Sequence, residues 1–301
     1  MIWIYTVKGK EFVATDATSL TQIMEFAKNQ WVWVDIFDPN EKELEILSEI
    51  LGNEPNLVEK FKKLIENPLD ARLIACDVCN YEKVNEYTLV TIPSIDFEEQ
   101  LVVYPIVLGT KKKMIITWGG EGQSHSKMIK KTIKRLREGV EEEQALNSSL
   151  VISVLFHEIA IKNSNVLLRI RERIDKLEEQ ALKNEGKNII HSIFSLKKTL
   201  SALYRLMIEE KDFMFDINKS VIPLIKLNEK SKPIIDEAID IIDREIDFID
   251  SYTRALDSIL TLKDLASIHK VETSINYLTI VLVIGTAILV ALELLAALGI
   301  H

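Results

Sequence analysis

Along the first 120 residues the apolar positions fall in short runs, often alternating with polar ones, and this is the signature of strands buried on one face or both. "IWIYTV" and "KEFVAT", on either side of Gly9, predict a hairpin, and "WVWVDI" predicts a further strand. "SLTQIMEFAKNQ" has helical spacing, with Ser19 as its expected N-cap. "DPNEKELEILSEILG" predicts a helix that opens after Asp38-Pro39 and stops at Gly52, and "EPNLVEKFKKLIEN" predicts another. Four more strand-like runs follow: "RLIACDVCN", "EYTLVTI", "EQLVVYPIVLG" and "KKMIITW". The expectation is a mixed sheet of at least six strands with helices packed on it.

From Lys127 onward the pattern turns helical. "ALNSSLVISVLFHEIAIKNSNVLLRIRERIDKLEEQALKN" reads as one long amphipathic helix, and "NIIHSIFSLKKTLSALYRLMIEEKDFMFDIN" as a second after Gly186. The short turn makes them antiparallel neighbours. Pro223 and Pro233 bracket a connection, and no Gly or Pro occurs from Ile234 to Ile284. One helix from about Lys232 to Gly299, roughly 100 Å long, is expected, with Pro233 in its first turn. The predicted class is α+β: an α/β part at 1–140, a helical hairpin at 141–221, a stalk at 232–272 and a membrane-spanning part at 273–300.

Ile275 to Ile300 is a 26-residue stretch without Lys or Arg, and fifteen of its residues are Leu, Ile or Val. As a helix it is roughly 39 Å long, enough to cross a hydrocarbon core of about 30 Å with some tilt. Each Leu, Ile or Val near the centre favours insertion by about 0.3–0.6 kcal/mol. One acid costs roughly 2.5–3.5 kcal/mol, so Glu293 does not forbid the span. Lys263, His269 and Lys270 precede it and only His301 follows. The distribution of positive charge puts the N-terminal part in the cytoplasm of a single-pass cell-membrane protein.

The polar side chains of this segment are spaced by 3, 7 and 7 residues. Asn276, Thr279, Val283, Thr286, Val290 and Glu293 therefore lie on one stripe with a period of 3.5. Such a stripe should face other helices or water rather than lipid. A ring of identical helices would turn it into a cation-selective pore lining. A helix contact held by polar groups, without conduction, is the other reading of the stripe. Below the span, Ile235, Ile239, Ile242, Ile246 and Ile249 form an apolar seam. One position along, Asp236, Asp240, Asp243, Asp247, Asp250, Asp257 and Asp264 keep the same rhythm. They are a solvated face, or carboxylates that share hydrated divalent cations between neighbouring helices.

A net charge of −9 argues against nucleic acid as a partner and is compatible with cations. Met1 to Lys10 lacks a signal-peptide layout. The two cysteines, Cys76 and Cys79, are read as core residues of a strand, since C-x-x-C in a strand points to opposite faces. His157-Glu158 lacks the second histidine of a zinc-protease helix. "WGGEGQSHS" lacks the lysine of a phosphate loop and is read as a flexible loop. No nucleophile and base stand at a telling spacing, so an enzyme is not expected.

The order of these elements resembles the CorA-type magnesium/cobalt transporters. "WVWVDIFDPNEKELEILSEILG" resembles that family's N-terminal W-[IV]-D-[IL] signature. "HEIAIKNSNVLLRIRERIDKLEEQ" with "SLKKTLSALYRLMIEEKDF" resembles its helical hairpin. "DSYTRALDSILTLKDLASIHKVETSINYLTIVLVIGTAI" resembles the stalk running into the pore-lining span. The resemblance implies a homopentamer that moves Mg²⁺ or Co²⁺ across the membrane, with regulatory divalent ions between subunits. Asp243, Asp247, Asp250 and Asp257 are the candidate ligands by position, and Glu293 is the candidate within the span. The family's Gly-Met-Asn triplet and second span are absent from the sequence, so an atypical member is expected. The expected function is cation transport through the striped span. The alternative is a non-conducting, tail-anchored sensor or regulatory subunit that pairs with another membrane protein.

Overall fold

The computed structural model describes residues 2–8, 11–16, 20–29, 31–50, 58, 69–70, 79–84, 86–97, 99–111, 113–119, 123–141, 147–183, 188–222 and 225–297. The chain forms two compact units. One comprises 1–172 and 196–251, and the other 173–195 and 252–301.

The first unit is built on a sheet. Its strands are β1 (Ile2–Lys8), β2 (Glu11–Asp16), β3 (Val32–Phe37), β4 (Leu69–Asp70), β5 (Asn80–Val84), β6 (Tyr87–Phe97), β7 (Leu101–Lys111) and β8 (Met114–Gly119). Their order is β2-β1-β3-β8-β7-β6-β5, with β4 also pairing β7. Among the described residues only β3 and β8 pair in parallel, and the other pairs are antiparallel. The hairpin around Gly9 forms as expected, and the mixed sheet is larger than the minimum read from the pattern. β5 gave no signal of its own because Asn80, Tyr81, Glu82 and Lys83 are exposed, so its described side chains bury no apolar face.

Two helices join the early strands: α1 (Leu20–Asn29) and α2 (Glu41–Ile50). Asn40 caps α2 reciprocally. Its Oδ1 accepts from the Glu43 amide at 3.0 Å, and Glu43 Oε2 accepts from the Asn40 amide at 2.9 Å. Ser19, Gly52, Cys76 and most of the helix expected at "EPNLVEKFKKLIEN" lie outside the described residues. Gln123 to Ser126, expected in a loop, form the first turn of α3 (Gln123–Glu141). Met128, Ile129, Thr132 and Leu136 of that helix are buried and lie on one face of it. Cys79 sits at a bend before β5, not within a strand.

Inside β3, Trp33 donates its indole N–H to Thr117 Oγ1 at 2.9 Å, and that hydroxyl donates to Asp35 Oδ1 at 2.6 Å. All three are buried. The Trp-Val-Asp-Ile stretch is therefore a structural relay that pins β3 to β8. It satisfies a carboxylate that would otherwise be costly to bury.

Three helices complete the chain: α4 (Ser148–Leu182), α5 (Ile189–Asn218) and α6 (Lys232–Ala297). Phe156 stacks on Phe213, and Asn163 bonds Glu210, so α4 and α5 run antiparallel. Asn218 donates to Asp236 and Lys211 pairs with Asp243, so α5 and α6 do too. Ser220 ends α5 with φ of 58°, and the Val221 amide reaches back to the Asp216 carbonyl at 2.9 Å.

Asn163 decides how α4 meets the sheet. β5 pairs with β6 only as far as Thr91, which leaves the later part of that edge without β5. Asn163, fully buried on α4, fills the gap. Its Nδ2 donates to the Pro93 carbonyl at 3.0 Å, and its Oδ1 accepts from the Ile95 amide at 2.8 Å. One carbonyl and the amide two residues on are the groups that a residue of a parallel strand would take. The side-chain amide thus replaces a missing strand by one peptide unit. Asn163→Ala is expected to strand both backbone groups and destabilise the full-length protein by about 3 kcal/mol. Asn165→Ala, which removes an exposed bond to the helix's own Ile161 carbonyl, is expected to change stability by less than about 0.5 kcal/mol. Denaturant titration of the detergent-solubilised protein reads both values.

Candidate functional site: the long helix

α6 is 66 residues long, roughly 100 Å. Asn228 Oδ1 accepts from the Ser231 amide at 2.9 Å just ahead of its first turn, which contains Pro233. Within the first unit four residues of its seam, Ile235, Ile239, Ile242 and Ile249, are each at most 5% exposed, as is Ala238, while Ile246 is half-buried. Buried Glu245 interrupts this seam. Burial pushes its carboxyl up, with Arg244 opposing.

The second unit holds the upper part of α6. Leu256 and Ile259 are buried there, together with Ile174, Leu177, Ala181, Ile189 and Ile193 from the ends of α4 and α5. From Ser267 to Leu292 every side chain is exposed. An apolar surface of this length left open to water is unfavourable, and a bilayer removes the cost. α4 is also long and apolar enough to span, but 78% of its apolar window is buried, as in the core helix of a folded domain.

The polar stripe runs along this exposed segment. Asn276, Thr279, Val283, Thr286 and Val290 share one face, and Glu293 follows in register on the same helix. From Asn276 to Glu293 the stripe rises about 26 Å. The Glu293 side chain lies outside the described residues. Thr279 Oγ1 donates to the Ile275 carbonyl at 2.9 Å, and Thr286 Oγ1 to the Leu282 and Val283 carbonyls at 3.0 and 2.9 Å. Each hydroxyl hydrogen is thereby turned back on its own helix, and the free lone pairs point outward. Such an oxygen can accept a hydrogen bond from hydration water, or meet a cation directly.

The acidic residues occupy the lower helix. Asp247, Asp250 and Asp257 are exposed, and Asp243 is paired with Lys211 Nζ at 2.5 Å. Among the described residues no three His, Cys, Asp or Glu side chains converge on one point that would hold a metal ion. Asp243, Asp247 and Asp250 follow one another at four and three residues along one helix face, and Asp257 stands about 10 Å farther up the axis. Any shared ion needs ligands from a second chain.

An α/β domain leads through a helical hairpin into a very long helix with an exposed apolar end long enough to cross a membrane. The chain belongs to the CorA-like Mg²⁺ transporter protein family, matching it over residues 28–290. Members of that family are transporters, not enzymes. The chain is similar to the cobalt/magnesium transport protein CorA of Methanocaldococcus jannaschii, at 18% identity over 201 residues. That match spans 67% of this chain and 59% of the relative, about three fifths of the relative's length. The complete structure of the M. jannaschii CorA magnesium transporter superposes with a TM-score of 0.69 at 17% identity, covering 93% of this chain and 82% of that one. The structure of the full-length CmaX protein gives 0.68 at 10% identity, covering 93% and 81%.

Two polar clusters had no signal in the linear pattern, because their members are far apart in sequence. At the root of α6, Arg135 of α3 donates to the His157 ring and to Glu237 Oε2 at 3.3 Å. His157 Nε2 lies 3.2 Å from the same carboxylate oxygen, and Glu158 Oε1 lies 3.8 Å from Arg135. The guanidinium thus ties α3, α4 and α6 together. The second cluster surrounds Glu210, which is 1% exposed. Glu210 Oε2 accepts from Asn163 Nδ2 at 2.9 Å, while Oε1 has no hydrogen-bond partner among the described residues. Burial pushes its carboxyl up to about 7, against the pull of the Asn163 bond and of Lys162. Lys162 donates to Ser94 Oγ at 2.5 Å and to the Ile95 carbonyl at 2.9 Å, and burial lowers its ammonium to about 8. Burial, Glu210 and Glu209 together hold the Cys79 thiol well above its usual range.

Glu210 binds its proton more tightly folded than unfolded. Its stabilising contribution is complete below the ordinary carboxyl range near 4.5 and is lost as pH rises through about 7. Lys162 acts the other way, between about 8 and 10.5, outside that window. The melting temperature of the wild-type protein should therefore fall by several degrees from pH 5 to pH 7.5. Glu210→Gln should flatten that slope when both are followed by thermal unfolding.

Proposed function

We propose that this chain is the subunit of a homo-oligomeric divalent cation channel, with Mg²⁺ or Co²⁺ as cargo and the striped face of α6 as its pore lining. The carrying observation is that the polar positions of an otherwise lipid-suited, wholly exposed segment lie on one face. A lone helix in lipid has no use for such a face, whereas copies around an axis give every polar group a neighbour or water. Pentameric assembly comes from the family resemblance. The cargo is suggested by the family and by the name of the M. jannaschii relative.

In this reading Asn276, Thr279 and Thr286 present oxygens to a hydrated cation, with Val283 and Val290 between them. Glu293 gathers cations at the far mouth. A ring of carboxylates concentrates divalent ions electrostatically, and Mg²⁺ tends to retain its water, so a ring can attract the ion without stripping it. Residues 273–300 cross the cell membrane once, with the N-terminal part in the cytoplasm. Asp247, Asp250 and Asp257 would hold regulatory divalent ions between neighbouring stalks. At Asp243 an ion would first have to displace the Lys211 ammonium.

Mg²⁺ influx into proteoliposomes containing this protein alone provides the test. Glu293→Gln should lower the influx about tenfold or more without changing oligomer size on a sizing column. Unaltered influx in the variant removes Glu293 from the pathway. Absence of influx from wild-type protein that is inserted and oligomeric overturns the conduction reading.

A further inference from the structure

A shallow open cleft between side chains on one face of α6 lies at the lower edge of the apolar segment, from Ala266 up to Leu278. Between these ends it is lined by His269, Lys270, Thr273, Ser274 and Tyr277. Those thirteen helical positions cover about 18 Å and straddle Ile275, so the cleft lies at the depth of the lipid headgroups of a spanning helix.

The side chains on this face change character at that depth. Leu256 is fully buried in the second unit, and the next positions of its seven-residue repeat are Lys263, Lys270 and Tyr277. A seam that starts as a protein-burying leucine thus continues as two lysines and then an aromatic. Lysine and tyrosine in that order are the side chains that anchor a span at the membrane interface. Lys270 is followed by thirty-one residues without Lys or Arg. His269 leans toward Glu272, with Nδ1 3.7 Å from Oε2, which leaves Lys270 as the charge that faces an anion. Thr273 Oγ1 donates to the His269 carbonyl at 2.8 Å, and Ser274 Oγ to the Lys270 carbonyl at 2.9 Å. Their hydrogens are spent, so both oxygens are acceptors.

We propose that this cleft binds an anionic phospholipid with a hydroxylated headgroup, of the phosphatidylglycerol class, in the leaflet on the N-terminal side. Lys270 takes the phosphate. The headgroup hydroxyls donate to Thr273 and Ser274, and the Tyr277 ring and Leu278 pack against the glycerol and the upper acyl chain. The assignment rests on α6 being a membrane span.

Full-length protein in mild detergent is titrated with phosphatidylglycerol, phosphatidylcholine or inorganic phosphate, and bound molecules are counted by native mass spectrometry. Phosphatidylglycerol is expected to bind in preference to phosphatidylcholine, and Lys270→Gln to weaken it about fivefold. Lys226→Gln, which removes an exposed charge of the first unit, should leave it unaltered. Equal binding of the two lipids, equal binding by Lys270→Gln, or displacement of the lipid by inorganic phosphate at equal concentration overturns the proposal. Alkaline carbonate extraction from phosphatidylcholine vesicles separates the two levels. Extracted protein means that the span itself fails, and the lipid site with it. Retained protein without a lipid preference means that the site alone fails.

Discussion

The side-chain amide of Asn163 is the contact on which the first unit depends. A sheet edge beyond its last strand leaves backbone groups that must be paired or solvated. Here they face a helix, and a helix has no spare backbone donors or acceptors with which to pair them. A buried asparagine at that one position supplies both, and its remaining hydrogen engages Glu210 of the next helix. Sheet, α4 and α5 are thereby fixed to each other through one residue. The cost appears nearby as a carboxylate oxygen with no hydrogen-bond partner among the described residues and a lysine drawn out of water.

A second constraint governs α6. Its hydrogen-bond ladder satisfies its own backbone regardless of surroundings, which is why one uninterrupted helix can serve in very different solvents. What changes along it is only which side chains are exposed. Isoleucines are buried near the root, and leucines, valines and isoleucines stand exposed beyond Ser267. The polar stripe within that exposed segment gives the helix a direction to face. The threonine hydroxyls, turned back on their own carbonyls, make that face one of acceptors. A face of acceptors suits cations and their hydration water.

Sequence identity to the solved relatives is low, yet the fold is shared over most of the chain. Trp33, Thr117 and Asp35 form a buried chain of hydrogen bonds between two parallel strands, and such a chain tolerates little substitution because each member satisfies the next. Most other core positions need only to be apolar and of suitable volume, and these drift freely.

Periodicity alone determined the elements that are long and regular: the Gly9 hairpin, β3, β6 to β8, the hairpin helices and the unbroken α6. It also determined the stripe from Asn276 to Glu293, because helical geometry converts spacing directly into a shared face. Tertiary structure decided what depends on partners distant in the chain. The described side chains of strand β5 bury no apolar face, and the start of α3 was hidden in a glycine-rich run. Asn163 looks like any polar residue on a helix until the edge of β6 is placed beside it. Glu210 and Arg135 likewise acquire their roles from neighbours 47 and 102 residues away, Asn163 and Glu237. A local pattern records which solvent a side chain prefers. It does not record which single group will stand within 3 Å of it, because that is set by the packing of whole elements.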